Sequence, residues 1–151
     1  MFLKRDRWYI LLFSVLAVLL IGFIFHNSMQ DADTSHSRSS HMLALLSTAL
    51  PFLTEHIVRK LAHFCEYAAL GWDFYALSVY VRRYARPRLA PFLAFCALIP
   101  CADEFLQLFS PGRSAAFRDV CLDWSGMLCG ALAAALMYLV LRRCLSSRRH
   151  G

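Results

Sequence analysis

Four long apolar runs divide this chain, and clusters of charged residues separate them. The runs cover about residues 8–25, 61–80, 89–109 and 120–141. A helix of about 20 residues spans the hydrocarbon core of a bilayer, and each run is close to that length. The chain is 59% hydrophobic and 17% charged, whereas soluble domains average about 45–50% apolar residues. The pattern predicts an all-α polytopic membrane protein with four transmembrane helices in a single domain, residues 1–151.

The first run follows the basic residues Lys4, Arg5 and Arg7. A secretory signal peptide is the alternative, but its apolar region has about 7–15 residues and ends at a small-x-small cleavage site. This run is longer, and no such site follows it. We therefore expect an uncleaved transmembrane helix, with Trp8 and Tyr9 at the membrane interface.

The segment of residues 26–59 is polar at first and then mixed. Its early serines and aspartates are typical of turns and helix caps. Leucines and a methionine then recur at helical spacing until Pro51, over a run too short to span a membrane. The pattern predicts an amphipathic helix lying on the outer face. Three histidines in this segment (His36, His41 and His56) could bind a metal, but solvated loop histidines are the expected outcome.

The basic residues predict the orientation of the chain. Eleven of the sixteen Lys and Arg residues lie before residue 8, in the 82–88 loop or in the tail after residue 141. The positive-inside rule then places both termini and that loop in the cytoplasm. Nucleic-acid binding is not expected despite the net charge of +6, because the basic residues flank apolar runs and form no continuous stripe.

Polar residues mark the beginning of the second run. Lys60, His63 and Tyr67 lie at i, i+3 and i+7, which is one face of a helix, and Glu66 borders that face. A snorkelling lysine and a His63–Glu66 hydrogen bond would be a purely structural explanation. We favour a functional site, because His63 and Glu66 lie where lipid offers no polar partner.

A second polar group closes the third run and opens the fourth. Asp103 and Glu104 differ by about 100° around a helix, so we expect one to face the bundle centre and the other a neighbouring helix or the water boundary. The remaining members follow in the turn and the next helix: Gln107, Arg113, Asp119 and Asp123. The helix dipole could explain Asp119 alone as a first-turn residue. In the predicted topology both polar groups converge on the outer side.

Gly126 and Gly130 form a GxxxG pair in the fourth run, continued by Ala131 and Ala134. Small residues let two helix backbones approach closely. We expect this face to pack against another span of the same chain, with homodimerisation as the alternative.

No cofactor or metal is expected from the sequence. The six cysteines form no CxxC pair and are interpreted as small apolar residues. A mixed nitrogen and oxygen site of His63, Glu66, Glu104 and Asp119 is conceivable. No compact ligand motif such as HExxH supports it.

Three patterns together resemble the VanZ-like family of small bacterial membrane proteins. They are Arg59-Lys60-x-x-His63-Phe64-x-Glu66-Tyr67-x-x-Leu70-Gly71, Asp103-Glu104-x-x-Gln107-x-Phe109-x-Pro111-Gly112-Arg113, and Asp119-Val120-x-x-Asp123-x-x-Gly126-x-x-x-Gly130. The segment Phe25-x-x-Ser28-x-Gln30 also resembles the region that follows the family's first span. Asp123 departs from the pattern, since the family commonly has Asn there. The resemblance implies a bacterial envelope protein in the plasma membrane, in a family named for a member associated with teicoplanin resistance.

We expect a site that acts on or binds an anionic lipid-linked or cell-wall-related ligand, with a link to glycopeptide resistance. Whether a reaction is catalysed stays open. The expected acid, base and proton-carrying groups are His63, Glu66, Asp103, Glu104 and Asp119. The expected ligand-binding groups are Lys60, Tyr67, Gln107, Arg113 and Asp123.

Two alternatives remain. One is a non-catalytic module that binds a lipid or an antibiotic. The other is a structural ion-pair network, with Arg113 on Asp119 and Lys60 on Glu66. Membrane lipids are the expected partners in every case, joined by a lipid-linked envelope precursor or a glycopeptide in the first two.

Overall fold

The computed structural model describes residues 2–47, 50–82 and 89–147, and all regular structure in these ranges is helical. Five helices follow one another: α1 (Phe2–Ser28), α2 (Ala32–Leu46), α3 (Glu55–Val81), α4 (Leu89–Gln107) and α5 (Phe117–Ser147). The all-α prediction is therefore confirmed. Five basic residues used for the topology prediction lie outside the described residues: Arg83, Arg86, Arg88, Arg148 and Arg149. The side chains of Lys4 and Arg5 also lie outside the described part.

Within the described ranges, two helix segments are long and apolar enough to cross a membrane. They are Asp6–Ser28 and Phe117–Ser146, with mean hydropathies of 2.6 and 1.8. α3 has sufficient length, but Glu66 and Asp73 lie within it and lower its hydropathy. The fold thus supports two of the four predicted spans by length and composition.

The apolar side chains are distributed as in a protein whose surroundings are apolar. Leu19 of α1, Leu98 of α4 and Leu136 of α5 are each 63% exposed. Asp103, Glu104 and Asp123 are buried at the same time. A soluble protein rarely exposes contiguous apolar surface of this kind, so these helices are suited to a membrane.

The segment of residues 26–59 forms a longer helix than its leucine spacing predicts. α2 begins at Ala32, in the stretch predicted as turns, because the Asp31 side chain caps it by accepting from Thr34 N at 2.9 Å. The buried face of α2 carries Ser35 and Ser39, while Leu45 is 77% exposed. The helix therefore packs with its serine face, while Met42 and Leu45 are exposed.

α3 is the central helix of the bundle. It packs most extensively on α5 and also contacts α1 and α2, while α4 contacts α1 and α5. Glycines make the contact with α5 close: a Cβ at Gly130 would overlap the backbone of Ala68, and one at Gly71 would overlap that of Met127. This confirms that the GxxxG face of α5 packs within the chain.

Candidate functional site

The turn between α4 and α5 docks onto the end of α1. Ser110 Oγ donates a hydrogen bond to the Ser28 carbonyl at 3.1 Å, and Arg113 Nη1 donates to the same oxygen at 3.3 Å. Ala32 N donates to the Pro111 carbonyl at 3.1 Å. Gly112 has φ of 74°, a conformation that glycine adopts without strain. These contacts bring the ends of α1 and α4 to the beginnings of α2 and α5.

Two further contacts attach α5 to its neighbours at this end. Lys60 Nζ donates to Asp119 Oδ1 at 2.5 Å, which links α3 to α5. Glu104 Oε2 accepts from the Ala116 backbone N at 2.8 Å, which holds the loop that precedes α5. Asp119 and Glu104, both predicted as acid or base groups, are thus engaged in contacts that hold the bundle together.

Replacing Glu104 separates its structural role from a chemical one. In Glu104→Gln the amide oxygen still accepts from Ala116 N, so we expect a melting temperature in detergent close to that of the wild type. Glu104→Ala leaves a partly buried N–H unpaired, which costs about 1–3 kcal/mol, and the melting temperature should fall. Phe105→Ala is the control, since Phe105 is 58% exposed. Equal melting temperatures for the Gln and Ala variants would contradict the capping contact.

Glu66 faces α1 and not Lys60 of its own helix. Glu66 Oε1 accepts from Asn27 Nδ2 at 2.9 Å, and Asn27 Oδ1 accepts from Arg38 Nη1 at 3.2 Å. The two ion pairs of the structural alternative, Lys60–Glu66 and Arg113–Asp119, do not form among the described residues, because Lys60 reaches Asp119 and Arg113 reaches the Ser28 carbonyl. A His63–Glu66 hydrogen bond does not form, since His63 Nδ1 is directed toward two other carboxylates.

Those two carboxylates belong to Asp103 and Asp123. His63 Nδ1 lies 3.9 Å from Asp103 Oδ2 and 3.9 Å from Asp123 Oδ1. Asp103 has no exposed surface, whereas Glu104 faces the neighbouring loop, as the 100° separation predicts. The Tyr67 and Ser28 hydroxyls adjoin Asp103. The three side chains meet from α3, α4 and α5 beneath the docked turn.

A cleft of about 260 Å³ opens above this group. Its basic lining residues are Arg59, Lys60 and Arg113, and its acidic ones are Glu104, Asp119 and Asp123. His63 and Gln107 also line it, and the exposed His36 and His56 lie in its wall. A smaller cavity of about 160 Å³ lies beside Asn27 and Glu66. The cleft is wide enough for a small polar group such as a phosphate.

The guanidinium groups of Arg113 and Arg59 lie close enough to repel each other. Burial lowers the pKa of Arg113 below its usual value, and the Arg59 charge lowers it further. Nearby Asp103, Glu104 and Asp31 oppose this effect. Two arginines that line one cleft suit an oxyanion, because guanidinium groups bind carboxylate and phosphate in bidentate fashion.

All ten residues predicted for the site lie at this end of the bundle. Seven line the cleft: Lys60, His63, Glu104, Gln107, Arg113, Asp119 and Asp123. Tyr67 and Asp103 are buried with no exposed surface, and Glu66 lines the smaller cavity. The roles assigned to these residues stay predictions.

Three other residues belong to this end of the bundle although the site prediction omits them. Arg59 lines the cleft, Asn27 binds Glu66, and Ser110 holds the turn. Arg59 could have been found from its position four residues before His63 on the same helix face.

Comparison with known proteins identifies a family for this chain. The family model described as VanZ/LLP1 matches residues 13–140, which is most of the chain. Searches of curated proteins and of solved structures find no match. The match includes every residue of the cleft and the buried group beneath it, and the chain belongs to the VanZ/LLP1 family.

Proposed function

We propose that this VanZ/LLP1 protein is a multi-pass protein of the bacterial plasma membrane, with α1, α3, α4 and α5 as its four spans. α3 has 27 residues, about 40 Å at a rise of 1.5 Å per residue. Its low hydropathy is compatible with a span because Asp73 is only 2% exposed and Glu66 binds Asn27. Polar side chains of membrane helices face the protein interior in this way.

The proposed orientation places both termini in the cytoplasm and the cleft on the outer face. The support is the excess of Lys and Arg in the segments near the termini and in the 82–88 loop. The cleft belongs to the opposite end of the bundle, where the α4–α5 turn contacts α1 and α2. An outward cleft would meet lipid head groups and cell-wall intermediates.

The proposed activity is the binding of an anionic head group, as on a lipid-linked phosphate. The observation that carries it is the pair of arginines, Arg59 and Arg113, at the opening of a cleft of phosphate-accommodating size. Lys60 adds charge but is already paired with Asp119. The arginines would hold the anion while exposed apolar helix faces contact its lipid chain.

Fewer residues are available for acid–base chemistry on a bound ligand than the sequence predicts. Glu66, Glu104 and Asp119 each accept a hydrogen bond from the protein. His63 lines the cleft and lies against two carboxylates, so it is the group best placed to carry a proton to a bound ligand. A binding module without catalysis uses the same arginines.

Anion binding can be measured with the purified protein in phosphatidylcholine nanodiscs and a fluorescent prenyl diphosphate. We expect Arg113→Gln to weaken binding at least tenfold, because hydrogen bonds to charged groups contribute about 1.5–3 kcal/mol. Arg118→Gln is the matched control: Arg118 has the same charge, follows the same turn and is exposed outside the cleft. Equal affinities of the two variants would refute the proposal.

Teicoplanin susceptibility provides a cellular readout for the same variants. Family membership supports an envelope role, and glycopeptides act outside the membrane. We expect cells that carry the wild-type protein to differ in susceptibility from cells that carry Arg113→Gln. Comparison of their envelope lipids by mass spectrometry would distinguish turnover of a ligand from binding alone.

A further inference from the structure

His63, Asp103 and Asp123 form a compact group of potential metal ligands. One ligand atom from each side chain can be chosen so that all three lie within 4.8 Å of one another. Each residue comes from a different helix, so the group exists only in the packed bundle. In a tetrahedral site, bonds of about 2.0–2.2 Å to Zn²⁺ place two ligand atoms about 3.3–3.6 Å apart. The 3.9 Å separations from His63 Nδ1 exceed that spacing by only a few tenths of an ångström.

The carboxylates of this group are buried and lack regular partners. Asp103 is 0% exposed and Asp123 is 1% exposed. None of their four oxygens makes a hydrogen bond of regular geometry among the described residues. Two anions in such surroundings are costly unless a cation is bound to them.

The lysine and arginines of the cleft make no hydrogen bond with these carboxylates among the described residues. Lys60 binds Asp119, and Arg113 donates to the Ser28 carbonyl. Among the contacts of the described residues, His63 Nδ1 is the nitrogen nearest to both carboxylates. Its distance of 3.9 Å from each is too long for a hydrogen bond. A dication between the three side chains would neutralise both carboxylates and satisfy the imidazole as well.

We propose that His63, Asp103 and Asp123 bind a divalent transition-metal ion such as Zn²⁺ or Mn²⁺. An imidazole nitrogen with two carboxylates suits these ions better than Mg²⁺ or Ca²⁺, which prefer oxygen ligands alone. The site differs from the set considered from sequence, because Glu66, Glu104 and Asp119 have other partners. Tyr67 and Ser28, adjoining Asp103, would orient that carboxylate.

The ion would lie at the floor of the anion-binding cleft. His63 and Asp123 line the cleft, and Asp103 lies behind them. Three protein ligands leave a coordination position for water or a ligand oxygen. On the proposed function, that position would accept an oxygen of the anionic head group held by Arg113. Metal binding itself does not depend on that function.

The test uses untagged full-length protein in detergent, dialysed first against chelator and then against Zn²⁺. We expect elemental analysis to find about one ion per chain in the wild type. Asp103→Asn and Asp123→Asn should each lose it. Asp73→Asn is the matched control, because Asp73 is another unpaired, buried carboxylate and lies outside the group. That variant should keep its metal.

Absence of bound Zn²⁺ from the wild type, in this experiment and in a parallel one with Mn²⁺, would overturn the proposal. Equal loss in Asp73→Asn would also overturn it, since the metal would then depend on the fold and not on these ligands. The second measurement is the visible absorption of Co²⁺ bound to the wild type, which needs no variant to fold. Bands of coordinated Co²⁺ that change in His63→Gln support the site, and a spectrum of free aqueous Co²⁺ refutes it.

The proposal of metal binding and the proposal of anion binding can be refuted independently of each other. Dialysis against Zn²⁺ contains no anionic lipid, so it tests the ligand group alone. Arg113→Gln should keep the metal while losing the prenyl diphosphate. A metal-free wild type that still binds the diphosphate would refute the metal site and leave the proposed function intact.

Discussion

Gly130→Ala is expected to destabilise the folded bundle by about 3 kcal/mol or more, at the upper end of the cost of overpacking. The new Cβ would overlap the backbone of Ala68 on α3. A side chain could move to another rotamer, but backbone atoms of a packed helix can yield only if the helices separate. α3 and α5 form the most extensive contact of the bundle, so their separation should also disrupt the cleft. Thermal unfolding in detergent measures the loss.

Gly22→Ala is the control for this substitution. Gly22 lies in α1, and nothing would lie within 4 Å of its new Cβ. Alanine favours a helix by about 1 kcal/mol over glycine, so this variant should be as stable as the wild type or more so. A melting temperature of Gly130→Ala equal to that of Gly22→Ala would contradict the close packing of α3 and α5.

A cysteine at position 114 should react with an impermeant maleimide in intact cells. Ser114 is exposed in the turn before α5, at the cleft end of the bundle. The experiment uses a background in which the six native cysteines are replaced by alanine. Labelling in intact cells should be either complete or absent, because a charged reagent does not cross the bilayer. Gel-shift labelling of intact and lysed cells measures it.

Ser146→Cys is the opposite control, near the other end of the same helix. Ser146 is exposed in the last turn of α5, which is long and apolar enough to span the membrane. Its label should appear only after lysis. The reverse pattern would place the cleft on the cytoplasmic side and exclude outer-leaflet ligands. Labelling of both positions in intact cells would show that α5 does not span.

Much of the fold is readable from the sequence because lipid imposes a simple pattern. A helix in hydrocarbon must satisfy its own backbone and present apolar side chains, so the positions of α1 and α5 follow from their apolar runs. The GxxxG spacing of Gly126 and Gly130 predicts a close helix contact for the same reason. α2 was less predictable, because its serine-rich beginning resembles a turn until Asp31 caps the helix.

The site was predictable in composition but not in pairing. Polar side chains in or beside long apolar runs are rare, and so the ten residues were recognisable as candidates from the chain alone. Their partners depend on how the helices rotate about their axes. A rotation of about 100° per residue separates Asp103 from Glu104, and the sequence does not state which one faces His63.

Local patterns therefore predict most of the helices and the end of the bundle at which the polar residues lie. Helix packing decides that Lys60 meets Asp119, that Glu66 meets Asn27, and that Asp103 and Asp123 meet His63. The physical reason is the distance along the chain over which each effect acts. Hydropathy and helical spacing act within one segment, whereas these contacts join residues from four helices and form only when the glycines of α3 and α5 let those helices approach.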